Sequence, residues 1–312
     1  MAVTTDTFSQ YAGELYMLGN DSTPLLAAMG QEARFVNNFD FALSSSYTIA
    51  SGTQQVITET DSLSAGSISN YTRDQAVNTA QIVKYDVATS YKLLSSYNKL
   101  IGNASDYGSV DGLNSIDDVH NHQIEAVLKQ IYTDLNYSCW NGNFQRSTGA
   151  GVAAKTRGLV EAITTNVTTI SGISTLTKNE VDTHLAGLAD GGVPLDNIVC
   201  CVGSAAKIKL SDLYSLNLQL APRDRTVGGV NIQTIQTDFC SMGIMFDAHI
   251  PSGAIYFINM SMLKPVWCVV PNQGALFYEE KATAGASRQG MVYGQFGLDY
   301  GEQKFHSVMK TA

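Results

Sequence analysis

Apolar side chains recur at helical spacing in one long stretch, where Val119, Ile124, Val127, Leu128, Ile131 and Leu135 lead up to Cys139 and Trp140. Ser115, with Asp118 three residues on, resembles a capping box, and Asn141-Gly142 ends the run. The spacing predicts a long amphipathic helix over 115–140. A second capping box, Thr177-Lys178-Asn179-Glu180, opens a helix that closes at Gly191-Gly192. Asn197–Val202 reads as a buried strand, and Ser204 caps a third helix running to about Leu213. This helix–strand–helix unit predicts a compact α/β region. Short strands follow over Gly229–Gln236, Met242–Phe246, Ala254–Ile258, Pro265–Val270 and Ala275–Glu279, and a final alternating strand covers Gln289–Tyr300. Leu159–Ile173 alternates like strands with turns, and Thr23-Pro24 opens a short helix ahead of Gly30.

The pattern before residue 95 is different. From Phe39 to about Leu94 it is β: an outgoing strand, a Gly/Ser-rich tip around Asp61–Ser69, and a return through Ala80–Val87. Its length predicts a projecting hairpin rather than a two-residue turn. Ser and Thr dominate Ser44–Gln81, with β-branched residues scattered singly among them. Such a segment favours extended structure but carries too little apolar surface to offset its ordering entropy. It is either disordered or ordered by neighbours. It also contains no lysine; the first in the chain is Lys84, and residues 1–83 carry eight acids against Arg34 and Arg73.

Composition sharpens the second alternative. Charged residues are only 15% of the 312, below the usual quarter, while there are 15 Tyr and 11 Phe. A low-charge, aromatic-rich surface is one that something else covers. The net charge of −9 argues against bulk binding to a nucleic-acid backbone, although Lys207, Lys209, Arg223 and Arg225 could form a local basic patch. The N-terminal residues lack the basic and apolar regions of a secretory signal, and no apolar run approaches a membrane span. Five cysteines without C-x-x-C spacing read as buried free thiols.

Several motifs suggest chemistry. Gly149-Ala150-Gly151-Val152-Ala153-Ala154-Lys155-Thr156 comes close to the phosphate-cradling G-x-x-x-x-G-K-T, but its sixth position is Ala and the stretch before it, Cys139–Ser147, is polar and irregular. A Gly-rich loop is the better account. His120-Asn121-His122 places two imidazoles on different faces of a helix, where they cannot share a metal, and predicts solvated helix polarity. His184, His249 and His306 stand apart from any Cys or acid at ligand spacing. Asp117-Asp118 suits a helix's first turn, and Glu279-Glu280 could pair with a neighbour. No catalytic, cofactor-binding or metal-binding set emerges.

The order of parts resembles the Hong Kong 97-type fold of tailed-phage major capsid proteins, an α+β architecture, and individual segments resemble its SU-type major head proteins. These segments are Phe35-Val36-Asn37-Asn38-Phe39-Asp40-Phe41, Asn78-Thr79-Ala80-Gln81-Ile82-Val83 and Arg157-Gly158-Leu159-Val160-Glu161-Ala162-Ile163. Thr237-Asp238-Phe239, Ile250-Pro251, Leu263-Lys264-Pro265 and the Glu280 to Tyr300 ending complete the set. The resemblance implies an N-terminal arm over 1–38, an extended hairpin (the E-loop) over 39–94, an axial domain over 166–269, and a peripheral domain over 95–165 and 270–312 that holds the spine helix. It implies a non-enzymatic shell subunit, made in a bacterial host's cytoplasm, that assembles into the pentamers and hexamers of a virion enclosing double-stranded DNA. Its partners would be further copies of itself, a portal protein, a separate scaffold or decoration protein, and packaged DNA by weak contact, with no cofactor and no membrane.

Some relatives weld their shells through a hairpin lysine and a neighbour's asparagine. Residues 39–83, the hairpin's outgoing strand, its tip and most of its return, hold no lysine, which predicts no such bond. Candidate intersubunit residues are Phe39, Phe41, Glu59, Asp61, Tyr71, Arg73, Arg223, Arg225, Glu279 and Glu280. The rivals are another self-assembling protein, such as a tail tube or surface layer, and a nucleotide-binding enzyme using the Gly149–Thr156 loop.

Overall fold

The computed structural model describes residues 22–29, 33–47, 54, 56–64, 73–97, 119–214, 225–227, 230–282 and 285–312. Its helices are α1 (Pro24–Ala28), α2 (Glu59–Ser62), α3 (Tyr91–Tyr97), α4 (Val119–Asn141), α5 (Leu159–Ala162), α6 (Lys178–Asp190) and α7 (Ser204–Tyr214). The strands of the first half are β1 (Arg34–Val36), β2 (Asp40–Tyr47), β3 (Arg73–Thr79), β4 (Gln81–Ser90), β5 (Val167–Ile170) and β6 (Ile198–Val202). Those of the second are β7 (Arg225–Val227), β8 (Val230–Gln236), β9 (Ser241–Phe246), β10 (Ala254–Asn259), β11 (Lys264–Cys268), β12 (Leu276–Glu280), β13 (Ser287–Asp299) and β14 (Ser307–Thr311).

The apolar stripe of α4 works on two fronts. Ile131, Leu135, Cys139 and Trp140 are buried between two sheets. On one side lie Tyr256 and Ile258 of a seven-stranded sheet ordered β5-β14-β10-β6-β9-β8-β7. On the other lie Val266, Val292, Phe296 and Leu298 of a five-stranded sheet built around β13, which pairs with β4, β11 and β12 while β1 pairs with β11. Tyr85 of β4 donates its hydroxyl proton to the Asp134 carboxylate on α4. That bond stabilises the neutral phenol and raises its pKa to about 12.

The second face of the seven-stranded sheet is covered by α6 and α7, where Val181, Leu185, Ala206 and Leu210 meet Cys200, Val202, Phe257 and Met309. A strand covered on both faces can be apolar at nearly every position, which is why β6 reads Ile-Val-Cys-Cys-Val. The capping box of α6 forms as expected: the Thr177 hydroxyl accepts from the Glu180 N–H, and the Glu180 carboxylate accepts from the Thr177 N–H at 2.8 Å. Ser115 and Asp118, the expected cap of the long helix, lie outside the described residues.

Two local expectations are corrected, and two strands pair across the expected domain bounds. The hairpin's return leg is β3, paired antiparallel with β2, and not Ala80–Val87. After the buried Ala80 the chain turns, and β4 joins β13 along ten residue pairs. Its inward positions Val83 and Val87 are the apolar ones, so register favours the five-stranded sheet. Leu159–Ala162 is a helical turn rather than strand. β14, absent from the sequence reading, pairs with β5 and β10 in the seven-stranded sheet although it falls within the 270–312 stretch expected to be peripheral. Conversely, β11 falls within 166–269 yet pairs with β1 and β13 of the five-stranded sheet. Both assignments depend on pairing partners distant in sequence, which a local pattern does not encode.

Buried histidines set the acid response of this core. His306 accepts the Asn259 N–H on Nδ1 and donates from Nε2 to the Tyr300 carbonyl at 2.7 Å, an arrangement satisfied only by the neutral ring. His184 lies between the Thr168 and Ser307 hydroxyls. Desolvation pushes both pKa values down to about 4. Above about pH 6.5 both rings are neutral whether folded or not, at no cost. As pH falls from there toward 4, the unfolded chain takes up protons that the folded chain refuses, so stability drops by about 3 kcal/mol per ring at most. Urea titrations of unassembled subunits at pH 7 and pH 4.5 should show a clearly lower midpoint at the acid value; equal midpoints would refute this.

Candidate assembly surface

The hairpin is rooted by a buried polar knot that the sequence reading missed. Asn78, the penultimate residue of β3, donates from Nδ2 to the Leu298 carbonyl at 2.7 Å and to the Thr156 hydroxyl at 3.2 Å. Its Oδ1 accepts from the N–H groups of Thr79 and Arg157. Thr156 is buried and its hydroxyl also accepts the Leu298 N–H. Nearby, the Arg34 guanidinium bridges the Ala42 carbonyl and the Asp299 carboxylate, at 2.9 and 2.6 Å. Phe41 docks against Gly297, where a Cβ would come within 2.7 Å of the ring, so only glycine admits it. These bonds fix the direction in which β2 and β3 leave the body.

Away from the root the hairpin loses its core. Leu43 is buried, but Gln75 and Ala76 on β3 are exposed. The short helix α2 is closed by a capping box of its own: the Thr58 hydroxyl accepts from the Asp61 N–H, and the Asp61 carboxylate accepts from Thr58. The Thr58 hydroxyl and then the Thr58 N–H, both donating to its carboxylate, lower the Asp61 pKa. Around this turn Val56 is 87% exposed, Ile57 63% and Leu63 85%. A capped, ordered turn carrying three bare aliphatic side chains is a surface shaped for contact.

The candidate contact residues do not form one site. Phe41, 5% exposed, lies within the subunit's own core, and Phe39 packs against that core. The Phe41 ring serves the root and is not available to a neighbour, which corrects the expectation for Phe41. Glu59 and Asp61 lie together on α2, and Arg73 is exposed at the start of β3. Glu279 and Glu280 are exposed at the end of β12, where Glu280 pairs with Arg288 of the same chain at 2.9 Å rather than waiting for a partner. Arg225 opens β7. Tyr71 and Arg223 lie outside the described residues.

The chemical candidates resolve into structure. The Gly149–Thr156 loop follows a helix instead of a strand and is closed by a bridge between Gln145 and Lys155. Its terminal hydroxyl, on Thr156, is already committed to Asn78 and Leu298. His120 is buried, not solvated, and bonds Thr89 and Tyr278. His249 does have an acid beside it, Asp247 at 2.9 Å, reached through a tight turn. All five cysteines are free thiols, with Cys240 half-buried and the others buried. Among the described residues no group of three His, Cys, Asp or Glu could hold a metal, and no helix is long and apolar enough to cross a membrane.

This mixed fold, a long helix clasped between two sheets, is the Hong Kong 97-type fold of capsid subunits. The capsid of cyanophage A-1(L) shares it at a TM-score of 0.60 and 12% identity, covering 96% of each chain. The capsid of cyanophage P-SCSP1u does so at 0.59 and 9%, covering 98% of this chain and 93% of that one. The SrpI encapsulin of Synechococcus elongatus PCC 7942 also matches, at 0.60 and 9%, covering 96% and 91%. The family described as SU10 major capsid protein matches residues 1–312, and the chain belongs to that family. It is a major capsid protein of the virion, and it self-assembles. No curated protein matches by sequence.

Proposed function

We propose that this subunit builds an icosahedral shell of pentamers and hexamers around double-stranded DNA, held together by overlap and burial alone. The observation that carries this reading is the bare aliphatic turn at Val56, Ile57 and Leu63, ordered on a hairpin whose root is locked. The hairpin acts as a clamp over an adjacent copy. α4 with the five-stranded sheet forms the peripheral domain, and the seven-stranded sheet with α6 and α7 forms the axial domain. The protein has no enzymatic role; it is made in the host cytoplasm, meets a portal protein at one vertex, and contacts DNA weakly. A scaffold or decoration protein would be a separate chain.

With no lysine before Lys84, no isopeptide weld leaves from the hairpin. Expressed alone, the protein should give closed particles in negative stain, and those particles should run as a single monomer band after boiling in detergent. Tubes, flat lattices or a covalent ladder would each refute the reading.

A further inference from the structure

The seven-stranded sheet ends in two strands that, among the described residues, are paired on one side only: β5 with β14, and β7 with β8. Alongside the open edge of β5 runs a groove of about 440 Å³, walled on its other side by α6. The Asn166 carbonyl accepts the Val308 N–H at 2.9 Å. In a parallel ladder the backbone groups of alternate residues face alternate sides, so those of Val167 and Thr169 face the groove.

Three features suit this groove to a strand. β5 reads Val-Thr-Thr-Ile, strongly β-favouring, and has none of the lysine, proline or bulge that usually guards an exposed edge. Gly187 lies in the last turns of α6 and lines the groove, at a position where glycine costs about 1 kcal/mol relative to alanine. A Cβ there would meet nothing within 4 Å, so the subunit's own fold does not require the glycine. Its effect is to keep the groove open to a close backbone approach. Glu180 adds a carboxylate to the groove wall, oriented by its bonds to Thr177.

We propose that this groove receives β7 of a second copy of the chain, so that the sheet continues from one subunit into the next. Following the pairings across the sheet, β14, β6, β9 and β7 all run in the direction of β5, whereas β10 and β8 oppose it. β7 of a neighbour would therefore add as a parallel strand, matching three residues to four. It opens with Arg225, opposite in charge to Glu180. The joint links two different edges head to tail, the heterologous geometry that closes into rings. This inference rests on the proposed pentamers and hexamers and adds which edges meet within them.

Two measurements test it in the full-length protein. Gly187→Gln fills the groove while favouring the helix. The subunit's melting temperature should hold or rise, and the fraction in rings or shells should fall at least tenfold. In a Thr169→Cys, Thr226→Cys double variant, mild oxidation should give a ladder ending at five or six chains on a non-reducing gel, reversed by thiol and absent from either single variant. Rings that form normally with Gly187→Gln, or that give no ladder, would overturn the β5–β7 joint and leave the capsomer reading standing. A cross-link from residue 169 to another segment, or to a different protein, would overturn β7 as the occupant. A wild-type protein that forms no rings would overturn the capsomer reading itself, and this inference with it.

Discussion

Replacing Asp247 by alanine should cost the subunit about 3 kcal/mol of stability, because it strips two buried donors of their shared acceptor. Asp247 is buried at the start of the turn after β9, where α4 meets the seven-stranded sheet. Its Oδ2 accepts from Asn136 Nδ2 at 2.7 Å and from Trp140 Nε1 at 2.8 Å, both on α4. Its Oδ1 accepts from the His249 N–H and lies 2.9 Å from His249 Nδ1. Asn136 and Trp140 are fully buried, so neither donor finds water when the carboxylate goes, and Asn136 Nδ2 keeps only its contact with His249 Nδ1 at 3.0 Å. Each orphaned donor costs about 1–3 kcal/mol, and the vacated volume adds to that. Asp247→Asn keeps one acceptor oxygen but turns an amide toward a donor, so it should fall between alanine and wild type. Urea unfolding of unassembled subunits measures this directly. A loss under about 1 kcal/mol would mean that the network does not hold the joint.

The same network marks where local pattern stops being informative. The stripe of α4 was legible because Ile131, Leu135 and Cys139 recur every four residues on one face. The capping box at Thr177 was legible because its two partners are three residues apart, and β6 because its apolar run has the length of a strand. Asn78 carried no such signal. Its acceptors at Thr156 and Leu298 lie 78 and 220 positions away, and an asparagine in a Ser/Thr-rich stretch looks like solvated polarity. His120 misled in the same way, its partners Thr89 and Tyr278 being 31 and 158 positions distant. Phe41 is an apolar residue in a core-poor segment, and the Gly297 it docks against lies far along the sequence. What remained legible about assembly was compositional: a β-favouring segment with too little apolar surface to order itself. The structure sharpens that to the segment's far end, since its root at Leu43, Asn78 and Ala80 is buried.

Deleting residues 59–71 should leave a folded, soluble subunit that cannot hold a shell. The root is untouched: Phe41, Leu43, Asn78 and the Arg34–Asp299 pair all lie outside the deletion, so the subunit's melting temperature should match that of the full chain. What is lost is Leu63 outright, together with the capped turn that adjoins Val56 and Ile57 in the chain. Burying an exposed aliphatic side chain contributes about 1.5–3 kcal/mol, and three partly buried ones supply several. A loss of about 3 kcal/mol per contact is a factor of more than a hundred in the association constant, repeated at every subunit. Particles should therefore be scarce in negative stain at concentrations where the full chain gives closed shells. Leu63→Asp tests the same point without changing chain length, placing a charge where the clamp needs an apolar side chain while the Thr58–Asp61 cap stays intact. If either variant gives shells as resistant to urea as the parent's, the hairpin is not the clamp, and the strength of the shell must lie in joints between the bodies of the subunits.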